Sequence, residues 1–307
     1  MKAAWVQRLS GVHVASATPY VTTGVLDVQG VCNLVDYYAE SGLQGAFFPS
    51  STGESFSMPR EERVRVVRLA AEQARGRIVI LANASESSWQ ETVAQTKAMA
   101  DAGADAAVCM PPTFFQYTQE ELRDFFYRIA DESPLPVVVY NHLVRLPNKI
   151  LLPLVMELRK HENIVGIKDT HNDAARLLHL YAQGAQKDFA ILCGGDGMAG
   201  YSALLGMGML NALSALKPKL FLNLYQAGRA QDLQRVALLQ EEVNKLMGIF
   251  TAAHGGAASA SLFGQAIKAA LYQKSLCGCA AAQMGFVLTQ EDHARVKALM
   301  DSVREDV

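Results

Sequence analysis

Short apolar runs alternate with helical stretches from near the start of the chain to about residue 230, and this alternation constrains the fold more than any other feature. The runs are Val12-His13-Val14, Gly45-Ala46-Phe47-Phe48, Ile78-Val79-Ile80-Leu81, Ala106-Ala107-Val108-Cys109, Pro136-Val137-Val138-Val139-Tyr140, Ile164-Val165-Gly166-Ile167-Lys168, Phe189-Ala190-Ile191-Leu192 and Met209-Leu210-Asn211-Ala212-Leu213. Between them, Met58-Pro59-Arg60-Glu61-Glu62 opens a helix with proline and acids in its first turn. Ser88-Trp89-Gln90-Glu91 and Thr118-Gln119-Glu120-Glu121 are capping-box patterns. Strands that each feed a helix pair in parallel through right-handed crossovers. The expectation is an α/β fold, a (β/α)8 TIM barrel over residues 1–229. Residues 232–250, 258–274 and 290–303 read as amphipathic helices, so residues 230–307 are expected to form a C-terminal helical segment.

A chain of 307 residues holds one barrel of about 250 residues and such an appendage. Lys+Arg 28 against Asp+Glu 30 leaves a net charge of −2, without a like-charge block. Nothing in that balance invites nucleic acid or an anionic membrane, and the expected partner is a small molecule. The five cysteines, Cys32, Cys109, Cys193, Cys277 and Cys279, form an odd set that predicts no disulfide framework. Cys277-Gly278-Cys279 lacks the second pair or histidine that would complete a zinc site, so no metal is expected. The N-terminus has no apolar h-region, and a reduced, cytoplasmic setting is expected. Residues 197–216 are uncharged, but Gly200, Ser202, Gly206, Gly208, Asn211 and Ser214 dilute them below the apolarity of a membrane span.

An open, doubly wound sheet is the main alternative, and Gly195-x-Gly197-x-x-Gly200 is its one token. A dinucleotide site also needs an acidic residue about 20 positions on, to hold the ribose. None lies between Gly197 and Gln231.

In a parallel barrel the chemistry gathers at the C-terminal ends of the strands. Alternation along the sixth run puts Ile164, Gly166 and Lys168 on one face, with Gly166 clearing space below the lysine. A lysine desolvated there and tuned to roughly pKa 7–8 attacks a carbonyl as the free amine; the alternative is a strand-end lysine that has reached solvent. Tyr140 ends the fifth strand on the face of Val138. Ser51-Thr52-Gly53-Glu54 follows the second strand as a turn whose amides could cradle a carboxylate. Asp196 follows the seventh.

In Ser51-Thr52-Gly53-Glu54, in Tyr140-Asn141 with Arg145, and in Gly166-Ile167-Lys168-Asp169-Thr170, the chain resembles the dihydrodipicolinate synthase/N-acetylneuraminate lyase family of pyruvate-handling aldolases. The tyrosine and lysine at positions 140 and 168, a separation of 28, agree with it. The resemblance implies that Lys168 forms a Schiff base with pyruvate or a 2-oxo acid, that Tyr140 moves protons with Ser51 as relay, and that Thr52 helps hold the carboxylate. It places Arg145, Asp196 and Asn211 toward the second substrate, an aldehyde. It implies no cofactor and a homo-tetramer, in which the residue at the position of Phe114 reaches the neighbouring subunit's site.

Departures from the family pattern narrow this reading. Phe114 replaces the relay tyrosine of the synthases proper, and a phenylalanine passes no proton. Ser51 replaces a threonine, Leu143 a proline, and Asn211-Ala212 the usual Ile-Ser. The leading expectation is therefore an aldolase or lyase joining or cleaving pyruvate and a hydroxylated or carboxylated aldehyde, with a 2-keto-3-deoxy acid as product or substrate. The alternatives are dihydrodipicolinate synthase itself, a 2-keto-3-deoxy sugar acid dehydratase, and a non-catalytic metabolite-binding barrel.

Overall fold

In the computed structural model, which describes residues 2–142, 146–184, 187–253 and 260–307 (for 260–262 without side chains), eight parallel strands close into a barrel. They are β1 (Val12–Ala15), β4 (Gly45–Phe48), β5 (Val79–Asn83), β6 (Ala106–Cys109), β7 (Val137–Asn141), β8 (Ile164–Asp169), β9 (Ala190–Cys193) and β10 (Gly208–Asn211). Each pairs with its successor, and β1 pairs with β10 to complete the ring. Every one of these strand residues is buried, as expected for a parallel sheet covered on both faces. The helices alternating with them are α2 (Val28–Glu40), α3 (Arg60–Ala74), α4 (Trp89–Asp101), α5 (Gln119–Glu132), α6 (Leu152–Leu158), α7 (Ala174–Ala182), α8 (Ala199–Leu204) and α9 (Pro218–Arg229).

Two elements go beyond the sequence pattern. A seven-residue helix, α1 (Lys2–Arg8), precedes β1. Its Trp5, with Leu9, joins the cluster inside the barrel formed by Phe47, Leu81, Val108, Val138, Val165 and Leu192. A hairpin of β2 (Tyr20–Thr22) and β3 (Val25–Leu26) follows β1, turning at Gly24 with φ 73°. These strands are too short to show a period.

The Thr118 capping box forms in full. At Ser88 only half does: its hydroxyl accepts from the Glu91 amide, while the Glu91 carboxylate pairs with Arg60.

The face assignment on β8 needs correction. Val137 pairs with Ile164 but Val138 pairs with Gly166, so Val165 is an extra residue. That bulge breaks the period of two. Ile164 packs outward with Ile167 in the helix-facing core, and Val165 turns inward. Lys168 still arrives at the mouth, because the bulge lies below it. Gly166 does not clear its space: a Cβ there would meet the Ala190 carbonyl at 2.6 Å. Gly194 does, since a Cβ at that position would lie 3.0 Å from Lys168 Cε and 2.3 Å from Thr170 Oγ1.

After α9 come α10 (Leu233–Leu246), a 3-10 turn over Met247–Thr251, α11 (Ala260–Gln273) and α12 (Gln290–Ser302). One apolar core runs from the barrel helices into this segment through Leu239, Val243, Leu246, Ile267 and Leu271. The Gly-rich stretch after β9 serves packing: Gly200 lies in the short α8, where a Cβ would press within 2.9 Å of Val236 Cγ1 on α10. Among the described residues no helix is long and apolar enough to cross a membrane, and no three His, Cys, Asp or Glu side chains converge as a metal set. The five cysteines are free thiols.

Candidate active site

Lys168 is 3% exposed and enters the floor of a ≈ 580 Å³ cavity at the C-terminal mouth of the barrel. Its Nζ lies 4.3 Å from the centroid of the Tyr140 ring and 5.2 Å from that of Phe47. The two rings meet edge to face at 6.4 Å. Phe47 was not singled out in the sequence. Its signal was there, because alternation along β4 turns it inward.

Tyr140 and Lys168 are register partners on β7 and β8, which fixes their neighbourhood by backbone pairing. Tyr140 Oη is 3.4 Å from Ser51 Oγ. Burial alone would push the phenol up. The Lys168 charge, with the Ser51 hydroxyl, outweighs it and holds the phenol below its ordinary range.

The Ser51 turn is built to leave donors free. Gly53 N–H donates to Ser50 Oγ, Glu54 N–H to the Ser51 carbonyl and Ser55 N–H to the Ser50 carbonyl. Among the described residues, no acceptor takes the amides of Ser51 and Thr52. Both residues line the cavity, and two unspent amides on one turn make an anion cradle. Glu54, at φ 61°, closes the turn, its buried carboxylate accepting from Lys268 Nζ and from the Gln283 amide.

Behind the lysine, on the outer face of β8, the Asp169 carboxylate accepts from Arg176 Nε at 2.7 Å and contacts His171 Nδ1 at 2.9 Å. Burial raises this carboxyl; His171 and Arg176 overcome that and hold it below the usual range. Arg176 and Asn141 both donate to the Ile150 carbonyl, so the ends of β7 and β8 and the chain before α6 are tied together.

Asp196 is buried on the cavity wall and accepts from the Leu213 amide. Burial pushes its carboxyl up to about 7, against the pull of the Leu213 amide and the Lys168 charge. The folded chain therefore holds a proton that the unfolded chain releases from the ordinary aspartate range. This group's contribution to stability falls as pH rises from about 4 to about 7. Asp196→Asn is expected to raise unfolding free energy at pH 8 by up to roughly 4 kcal/mol, the gain shrinking steadily toward pH 4. Urea titrations at several pH values read this; a gain independent of pH would refute it.

Thr170, Asn172, Gly194 and Gly195 complete the polar wall, and Met247, Phe250 and Phe263 of the C-terminal segment form a second, apolar one. The second wall carried no sequence signal beyond helical spacing. His142 also lines the cavity. Asn211 does not: Leu210 and Ala212 face the cavity, and alternation turns the fully buried Asn211 to the other side of β10. Phe114 is 84% exposed and stacks edge to face on Phe115 at 4.8 Å. Arg145 lies outside the described residues.

The chain matches the model of the dihydrodipicolinate synthetase family over residues 8–277. It is similar to 4-hydroxy-tetrahydrodipicolinate synthase of Xanthomonas axonopodis pv. citri, 35% identical over 222 residues, 72% of this chain and 73% of that one. Among solved structures it is similar to dihydrodipicolinate synthase of Bacteroides thetaiotaomicron, with TM-score 0.88 and 26% identity over 95% of this chain and 98% of that one. A prophage protein of the dihydrodipicolinic acid synthase family from E. coli K12, solved in complex with pyruvate, gives TM-score 0.87 and 26% identity over 96% and 98% of the two chains.

Proposed function

We propose, from the premise that this chain belongs to the dihydrodipicolinate synthetase family and is a carbon–carbon lyase, that it catalyses the reversible aldol addition of pyruvate to an aldehyde through a Schiff base on Lys168. The observation that carries the reading is Lys168 Nζ 4.3 Å from the Tyr140 ring on the floor of the cavity that Ser51 and Thr52 line.

Lys168 Nζ attacks the keto carbon of pyruvate, and the carbinolamine loses water to give an iminium. The iminium draws electrons, so the methyl carbon releases a proton and becomes an enamine. That carbon attacks the aldehyde carbon, whose oxygen takes a proton. Water returns to the iminium, freeing the amine and a 4-hydroxy-2-oxo acid, the chemical form of a 2-keto-3-deoxy acid. Tyr140, its phenol made more acidic by Lys168, moves the protons, and the Ser51 hydroxyl passes them on. The free amides of Ser51 and Thr52 hold the pyruvyl carboxylate. Asp196 faces the aldehyde oxygen. No step here calls on a cofactor.

A second reading, 4-hydroxy-tetrahydrodipicolinate synthase, is favoured by the 35% identity to the Xanthomonas enzyme. Against it stands Phe114, which carries no proton. In a homo-tetramer of the kind the resemblance implies, the exposed Phe114–Phe115 pair would pack on a neighbouring subunit as an apolar contact.

Borohydride added with pyruvate is expected to fix a reduced pyruvyl group on Lys168, located by peptide mass. Absence of that adduct would overturn the proposal and leave a metabolite-binding barrel. Rapid condensation with aspartate semialdehyde would favour the second reading.

A further inference from the structure

The cavity at the barrel mouth is asymmetric. Its lining joins polar residues, Thr170, Asn172 and Asp196, to an apolar wall from the C-terminal segment, Met247, Phe250 and Phe263. Phe250 and Phe263 meet edge to face, centroids 4.7 Å apart and planes at 73°. The two side chains are only partly buried, although both pack against the core. At ≈ 580 Å³ the cavity has room for far more than a three-carbon acid.

Resting on the Schiff-base reading above, we propose that the aldehyde carries an apolar group of aromatic size, seated against Met247, Phe250 and Phe263. The polar wall handles the oxygen that becomes the 4-hydroxyl, and the apolar wall takes the substituent. Asp196, when ionised, repels a carboxylate. A polyhydroxylated chain would set hydroxyls against two phenyl rings and a thioether, with hydrogen bonds unmade. A ring gains there instead, through area removed from water and through edge-to-face contact with the phenylalanines. An aldehyde with an aromatic group stands as the alternative to the hydroxylated or carboxylated one that the sequence alone favours.

The test compares kcat/KM for addition of pyruvate to benzaldehyde, succinate semialdehyde and glyceraldehyde, with borohydride trapping of pyruvate on Lys168 read separately. Benzaldehyde is expected to lead by at least about tenfold. Phe250→Ala should lower its kcat/KM roughly 10- to 100-fold while acetaldehyde, which has no ring, changes little. Phe250→Lys should lower benzaldehyde use and raise succinate semialdehyde use, a gain that misfolding cannot produce. Trapping on Lys168 with a lead for succinate semialdehyde or glyceraldehyde would overturn this inference alone, as would equal losses for all aldehydes in Phe250→Ala. Failure of trapping would remove the Schiff base, and this inference with it.

Discussion

Lys168→Met is expected to lower turnover by on the order of 10⁴-fold or more, and to leave the protein as stable as before or more so. The loss follows because a thioether neither adds to a carbonyl nor supports an iminium, so no enamine forms. The stability follows from the site: the Lys168 side chain is 3% exposed among Tyr140 and Phe47 and has no ion-pair partner among the described residues, and an unbranched apolar chain fills the same space without the cost of burying a polar group. The variant should also move the Tyr140 phenol upward, since its burial stays while the charge that opposes burial is gone. Steady-state rates, denaturant midpoints and NMR titration of labelled tyrosine read the three effects separately. Retained turnover would sink the nucleophile assignment. A loss of fold would show instead that the lysine is structural.

The barrel was legible because parallel strands buried on both faces are short apolar runs, and because each run is followed by a helix start with identifiable capping chemistry. Lys168 and Tyr140 were legible because strand ends in a barrel share one rim. What resisted had local causes. The β8 bulge at Val165 is invisible to a period-of-two count, so Ile164 was given the wrong face, although Lys168 lies above the bulge and was unaffected. Gly194, which makes room for the lysine, stands 26 positions from it, at 194 against 168. Asn211 looked like a rim residue because it ends its strand, but Leu210 and Ala212, on the other face, are the neighbours that line the cavity. The apolar wall comes from the C-terminal helices, whose arrival over the mouth depends on tertiary packing. Helical periodicity alone does not reveal which face of a helix meets a cavity.

That C-terminal segment also holds the cradle together, which gives the second large effect. Lys268 on α11 has a fully buried side chain, and its one carboxylate partner among the described residues is Glu54, also buried. Burial lowers the lysine's pKa and Glu54 opposes that. Glu54 stands in the left-handed region two residues after Thr52, so its carboxylate, gripped by Lys268 and the Gln283 amide, holds a backbone shape that an L-residue does not favour alone. Lys268→Met should cost about 3–5 kcal/mol, because Glu54 is left as a buried charge without its counter-ion. Relaxation of the turn should then raise KM for pyruvate, since the free amides of Ser51 and Thr52 sit on it. The double variant Lys268→Met/Glu54→Gln removes both charges and is expected to recover much of the stability, because a neutral amide can still accept from Gln283. Its KM should stay raised, the turn having lost its ionic anchor. Denaturant midpoints and pyruvate KM values across the double-mutant cycle decide the matter. If the single and double variants are equally destabilised, the pair is not coupled. If KM is unchanged in both, the C-terminal segment does not position the cradle.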